Sequence, residues 1–231
     1  MAVALVFPVH SWDVSLLEAR GLQQRLRARV RIEPLPASIC VVGGVDASFA
    51  AGMARAAAVL FSFPDLEPLE AVTAEAPLRF PYLPGLLAFR EGPAVLAALA
   101  KLKRQADVLL FDAHGLAHPR RMGLAAHIGV LLDRPSVGCA KSRLCGEHPE
   151  LSSERGSWVE LTEDGEVIGA CVRTRTGVRP LYVSVGHRAD LETAVRVTLA
   201  CCHGCRLPEP TRWAHRVAGG EPLPSSWLGG R

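Results

Sequence analysis

Three carboxylates pose the chemical question. Asp112 closes the apolar run Val108-Leu-Leu-Phe111, and loop residues follow at once: Gly115, His118 and Pro119. A continuous apolar run reads as a strand buried on both faces, at the centre of a sheet covered by helices. Ligands of open α/β sheets gather at the carboxyl ends of the strands, so Asp112 stands where a site is built. Alone it reads equally well as a turn aspartate. A second strand of the same design favours the site. Cys40-Val-Val-Gly-Gly-Val-Asp-Ala-Ser-Phe49 sets Asp46 among apolar residues, where a charge is costly unless it is paired or binds a metal. Glu91 adds a third carboxylate near the end of another segment. Converging carboxylates repel unless a hard divalent cation holds them. Mg²⁺ suits one or two carboxylates with waters and a phosphate oxygen; such a site activates water and steadies charge on phosphorus. Lys141, at the end of a short neighbouring strand, can neutralise a phosphate. The chain has no Gly-rich phosphate loop with Lys and Ser/Thr, and no GxGxxG, so a nucleotide-binding fold has no support.

The elements that must position these groups follow from pattern. Residues 11–32 carry Val14, Leu17, Leu22, Leu26 and Val30 at near-helical spacing, which predicts an amphipathic helix with Ser11 as N-cap. Pro34 and Pro36 end that segment. Residues 40–49, 56–63 and 69–76 read as strands, the first two joined antiparallel through a turn at Gly52. Phe80-Pro-Tyr-Leu-Pro-Gly85 holds two prolines around an aromatic and predicts a stiff loop. Gly92-Pro93 predicts a helix start, with Pro in the first turn and Val95, Leu96, Leu99 and Leu102 as its buried face. Residues 122–132 are apolar nearly all round, as in a buried helix, and His127 within them reads as a satisfied core histidine. Strands are predicted at 136–140, 158–161, 167–174 and 181–185, with a hairpin turn at Glu163-Asp-Gly165. Residues 190–202 form a helix capped by Asp190. The stretch 219–231 is rich in Gly, Pro and Ser and is expected to be disordered. The expected organisation is one α/β domain over 1–218 followed by that tail.

Composition narrows the class. A chain of 231 residues, 49% apolar, can bury one α/β core. The formal net charge is only +3, so any basic surface must be local; Arg20, Arg25, Arg27, Arg29 and Arg31 read as a solvated face. Arg120, Arg121, Lys141 and Arg143 lie nearer the expected site. No apolar run reaches a membrane span. Met1 to Phe7 is apolar but lacks a basic lead-in, so no signal peptide is expected. Seven cysteines, odd in number and scattered, fit a reducing cytoplasm. Cys202-His-Gly-Cys205 is half a zinc site without its second pair, and no structural zinc is expected there.

Five blocks, in order, carry a family resemblance: Val45-Asp-Ala-Ser-Phe49, Pro81-Tyr-Leu-Pro-Gly-Leu-Leu-Ala-Phe-Arg-Glu91, Phe111-Asp-Ala-His-Gly-Leu-Ala-His-Pro119, Gly138-Cys-Ala-Lys-Ser-Arg143 and Leu207-Pro-Glu-Pro-Thr-Arg-Trp-Ala-His215. The chain resembles the endonuclease V, or deoxyinosine 3′ endonuclease, family over residues 41–215. Ala113 departs from the glycine usual there. The resemblance implies a ribonuclease H-like fold, a mixed sheet flanked by helices. It implies a Mg²⁺-dependent nick, with Mn²⁺ as an alternative, at the second phosphodiester bond 3′ to a deaminated adenine in DNA, leaving 3′-hydroxyl and 5′-phosphate ends. By motif, Asp46, Asp112 and Glu91 would bind metal, and Lys141 and His215 would flank the scissile phosphate. The loop Pro81, Tyr82, Leu83, Pro84 would be a wedge, with Tyr82 taking the place of the flipped base. Gly85, Gly115, His118 and Ser142 would help to bind DNA around the base pocket. A cytoplasmic monomer without membrane attachment is expected.

Each assignment has a plainer rival. Tyr82 could cover the core, His118 could cap a loop, Lys141 could protect a sheet edge, and Glu91 could serve a helix start. Three other functions stay open. One is an endonuclease of the same fold acting on inosine in RNA, since 2′-hydroxyl contacts depend on pocket geometry. The others are a non-catalytic lesion-binding module and a metal-dependent enzyme on a small phosphorylated substrate.

Overall fold

The computed structural model describes residues 10–222. The expectations for Met1 to Phe7 and for 223–231 of the terminal stretch lie outside the described residues. Eight strands form one mixed sheet in the order β3-β2-β1-β4-β5-β8-β7-β6. Its centre is parallel: β1 (Val41–Ala50), β4 (Val108–Phe111) and β5 (Ser136–Ala140). Antiparallel strands extend it on both sides, β2 (Met53–Ser62) and β3 (Pro68–Pro77) on one, and β8 (Leu181–His187), β7 (Glu166–Val172) and β6 (Trp158–Glu163) on the other. The two Gly-containing hairpins form as expected. Ala51 and Gly52, and likewise Asp164 and Gly165, all have positive φ, the two-residue turn that matches strand twist.

Helices cover both faces, because the central strands are apolar on both. Along β4, Val108 and Leu110 pack with α4 (Leu191–Ala200) and α5 (Glu209–Ala218), while Leu109 and Phe111 pack with α2 (Leu87–Leu99) and α3 (Leu124–Leu132). Helix α1 (Leu16–Arg27) lies outside this layer, with Leu26 on Met122, Ala126 and Val130. This is the ribonuclease H-like arrangement of a mixed sheet between helices.

Three expectations are corrected. Helix α1 starts at Leu16, not after Ser11: Ser15 and Glu18 make a reciprocal capping box, which satisfies two backbone donors at once. Its buried face is Ala19, Gln23 and Leu26, and Leu17 is exposed. Helix α2 starts at Leu87, so Pro93 lies inside it. Pro93 has no N–H for the carbonyl one turn back; burial of Leu86, Ala88 and Phe89 offsets that loss. Residues 209–218, beyond the predicted helices, form α5. Arg20, Arg25, Arg27, Arg29 and Arg31 are all exposed. Arg121 is buried instead, its guanidinium paired with Glu163 and Glu166 at 2.5 and 2.8 Å.

Candidate active site

Register brings the two aspartates together. In the parallel pair β1–β4, Val45 lies opposite Phe111, so Asp46 and Asp112 occupy the next rung, at the carboxyl end of the sheet centre. The Asp112 N–H donates to the Val45 carbonyl at 3.2 Å. Lys141 follows β5 directly, and its Nζ forms an ion pair with Asp112 Oδ2 at 2.5 Å. The fourth group comes from above the sheet. Gly44 shares a strand face with Asp46, and a Cβ there would stand 2.0 Å from the Pro210 carbonyl. Only glycine lets α5 settle onto β1, and α5 carries His215. The Ser48 hydroxyl donates to the Ala218 carbonyl and pins the far end. His215 Nδ1–H then donates to Asp46 Oδ2 at 2.6 Å.

One ligand atom each from Asp46, Asp112 and His215 lies within 4.8 Å of the others. Two carboxylate oxygens and an imidazole nitrogen fit a divalent cation. Glu91 lies beside this triple, not within it. It is buried in α2, just past the first turn, so the helix-start role does not apply. Its surroundings record the crowding. Burial, then the charges of Asp46 and Asp112, push the Glu91 carboxyl up to about 8, with Arg90 opposing. Burial and Asp112 push Asp46 up to about 6 although the His215 hydrogen bond favours its charged form. Charging all three carboxyls here thus costs more than the protein's own cations offset, a cost that a bound cation would relieve.

Beside the carboxylates opens a cleft of about 310 Å³, lined by Tyr82, Leu83, Pro84, Gly85, His118, Lys141 and Ser142 among others. Pro81 and Gly115 do not line it; Gly115 is buried, and its N–H donates to Ser184 Oγ at 2.9 Å. Tyr82 is 68% exposed, which sets aside the core-covering role. His118 does cap its loop, since Nδ1 accepts from the Arg120 N–H at 3.0 Å, and it also reaches the Tyr82 loop, its Nε2–H donating to the Gly85 carbonyl at 2.9 Å. Those two bonds use both nitrogens of a neutral imidazole, and burial pushes its pKa down to about 4. Ala113 has no positive φ, so the alanine carries no strain. His127 is fully buried, with Nε2 2.7 Å from His10 Nε2, but its Nδ1 has no partner, so it is only half satisfied.

Sequence reasoning missed His114 and Gln23. Both line the cleft. His114 is pushed down to about 4 by burial, against a hydrogen bond to the Ser142 backbone. It stands inside the Asp-Ala-His-Gly block, two residues past Asp112, and that placement was its available signal. Gln23 had none, being one polar residue within a helix.

The comparisons with known proteins agree with this geometry. The endonuclease V family model matches residues 24–216. Endonuclease V of Roseiflexus castenholzii (strain DSM 13941 / HLO8) is 51% identical over 215 residues, covering 93% of this chain and 97% of that one. The crystal structure of endonuclease V from Streptomyces avermitilis superposes with a TM-score of 0.87 at 41% identity, covering 91% of this chain and 94% of that one. Ciona intestinalis endonuclease V, solved in complex with a 24mer DNA containing an inosine followed by a ribo-adenosine, gives 0.76 at 28% identity, with 89% and 96% covered. With matched residues spanning both aspartates, the Pro81–Pro84 loop and His215, the chain belongs to the endonuclease V family.

Proposed function

We propose that this protein is a repair endonuclease that nicks DNA containing deoxyinosine at the second phosphodiester bond 3′ to the lesion, leaving 3′-hydroxyl and 5′-phosphate ends. The observation that carries the reading is the Asp46–Asp112–His215 cluster opening beside a cleft that the exposed Tyr82 overhangs. The Ciona relative bound to inosine-containing DNA supports it. Asp46, Asp112 and His215, with Glu91 alongside, would hold Mg²⁺, or Mn²⁺ in its place. A bound cation supplies Lewis-acid stabilisation at phosphorus and makes water a better nucleophile. The protein's own groups do the rest. Lys141, 40% exposed at its side chain, offers a positive charge to a phosphate oxygen. Glu91, pushed up to about 8, holds a proton at neutral pH, and a cation in the neighbouring cluster would favour its charged form. Tyr82 stacks in the gap left by the flipped base, and neutral His118 with Gly85 and Ser142 borders the base.

The catalytic unit is assigned to residues 1–218. One chain supplies every group named, so a monomer suffices. All seven cysteines are free, as suits the cytoplasm, and no helix among the described residues is long and apolar enough to cross a membrane. A second reading, inosine in RNA, is favoured by one observation: the inosine of the Ciona ligand is followed by a ribo-adenosine.

End-labelled DNA and RNA duplexes with one inosine, incubated with and without Mg²⁺, test both. The expected DNA product is cut two bonds 3′ to inosine and needs Mg²⁺. Equal cutting of an undamaged duplex, or no cutting with Mg²⁺ or Mn²⁺, would refute the proposal; RNA-only cutting would establish the second reading.

A further inference from the structure

We infer that Gln23, on helix α1, is a positioning residue that clamps the Tyr82 loop to the wall of the cleft. The inference rests on the function proposed above. Gln23 is 1% exposed, and every polar atom of its side chain is in use. Its Nε2 donates to the Gly85 carbonyl and to the Met122 carbonyl, both at 2.9 Å. Its Oε1 accepts from Arg120 Nε at 2.6 Å. Arg120 Nη2 in turn donates to the same Gly85 carbonyl at 2.6 Å, as does His118 Nε2 at 2.9 Å. Three side chains from two segments thus converge on one main-chain oxygen, three residues past Tyr82. A carbonyl has two lone pairs, so this one is saturated.

The turn these bonds hold also requires glycine at position 85. Its φ is +77°, and a Cβ would stand 2.8 Å from Arg120 Nη2. The turn after Pro84 is therefore fixed in direction, and Tyr82 projects from a loop anchored at its carboxyl end. Gln23 is the member of the clamp that ties the others together. It bonds the loop, the chain just before α3 and the arginine at once. Losing it removes one donor from Gly85 and releases Arg120 Nε from its acceptor. Hydrogen bonds that pre-order a loop cut the entropy lost when the loop engages its target. Gln23 acts through the loop and touches no metal ligand, so its effect belongs to lesion binding and not to phosphorus chemistry.

Two variants test this, Gln23→Met, which keeps size and removes all three bonds, and Gln23→Glu, which keeps an acceptor for Arg120 but sets a carboxylate oxygen against two carbonyls. Binding to a fluorescent inosine duplex is measured in EDTA, beside an undamaged duplex, and cleavage is followed across Mg²⁺ concentrations. Both folded variants should bind the inosine duplex about fivefold to tenfold more weakly, the scale of one or two net hydrogen bonds. Their Mg²⁺ half-saturation should not move, and the loss should appear in KM more than in kcat. A wild-type protein with no preference for inosine would overturn the functional reading itself. Wild-type preference with either variant binding like wild type would overturn only the clamp, as would an equal loss on both duplexes. Failure of both variants to fold would place Gln23 in the structural core and likewise overturn it.

Discussion

Two groups of titratable side chains, one at the carboxylate cluster and one lining the cleft or, for His127, buried in the helix layer behind it, are pushed in opposite directions. Asp46 and Glu91 are pushed up, to about 6 and about 8. His114, His118 and His127 are pushed down, to about 4, 4 and 3. Burial is the first cause in every case, since it disfavours charge of either sign. The difference lies in what burial leaves behind. The imidazoles settle as neutral rings, because one nitrogen donates while the other accepts or stays dry. The carboxylates face one another, and their mutual repulsion remains after burial has acted. One side is thereby neutral, as the proposed base pocket requires; the other crowds carboxyls, as the proposed cation site requires.

The most severe way to break this contrast is to remove a carboxylate. Asp112→Asn or Asp46→Asn should lower cleavage by at least about a hundredfold to a thousandfold, the scale of losing one preorganised electrostatic group. The fold should survive, and the sign of the stability change sharpens the comparison. A carboxyl held above its unfolded value keeps its proton in the folded state while the unfolded chain gives it up. Stability of the metal-free protein therefore falls as pH rises, between 3.8 and about 6 for Asp46 and between 4.5 and about 8 for Glu91. Metal-free Asp46→Asn should melt above wild type at pH 8. A lower melting temperature would show that the repulsion is not there.

The neutral side is probed through Tyr82. Tyr82→Ala should weaken binding to an inosine duplex by about tenfold to a hundredfold, the range for loss of one base–aromatic stack. Magnesium dependence and cut position should stay as they are. Tyr82→Phe should lose less, and single-stranded inosine should suffer less than duplex, because flipping there costs less. Normal duplex binding by folded Tyr82→Ala would remove the wedge.

A smaller effect should appear in acid. Imidazoles held below 6.5 cannot take a proton in the folded state, while the unfolded chain takes it readily. Their contribution to stability is complete above 6.5 and is lost as pH falls toward 4, with His127, pushed to about 3, losing it longest. Asp46 and Glu91 act in the opposite sense over part of that window, but three imidazoles outweigh two carboxyls, so melting temperature should still fall. A flat profile from pH 6.5 to 4 would mean that the imidazoles are more open to water than the structure shows.

Much of this site was legible because charge in an apolar strand is conspicuous. Asp46 and Asp112 stood out for that reason, and strand order then placed them on one rung. His215 came only with the family resemblance, since nothing local in residues 206–215 reveals that Gly44 admits α5 onto β1. The start of α2 was misread because Gly92-Pro93 is a strong local signal. Burial of Leu86, Ala88 and Phe89 is a tertiary effect that no local pattern contains. Gln23 was invisible for a similar reason: its partners Gly85, Met122 and Arg120 lie 62, 99 and 97 residues away in the chain.

Calorimetric titration of the metal-free protein with Mn²⁺, in buffers of different ionisation heat at pH 6, 7 and 8, tests the central claim most directly. A cation held by Asp46, Asp112 and His215, with Glu91 alongside, favours the charged forms of Asp46 and Glu91, so proton release is expected at pH 7, less at pH 8, with affinity rising from pH 6 to 8. Asp112→Asn should bind far more weakly. Binding of equal strength in Asp112→Asn, or binding with no proton release at pH 7, would contradict the assignment of this carboxylate cluster as the metal centre.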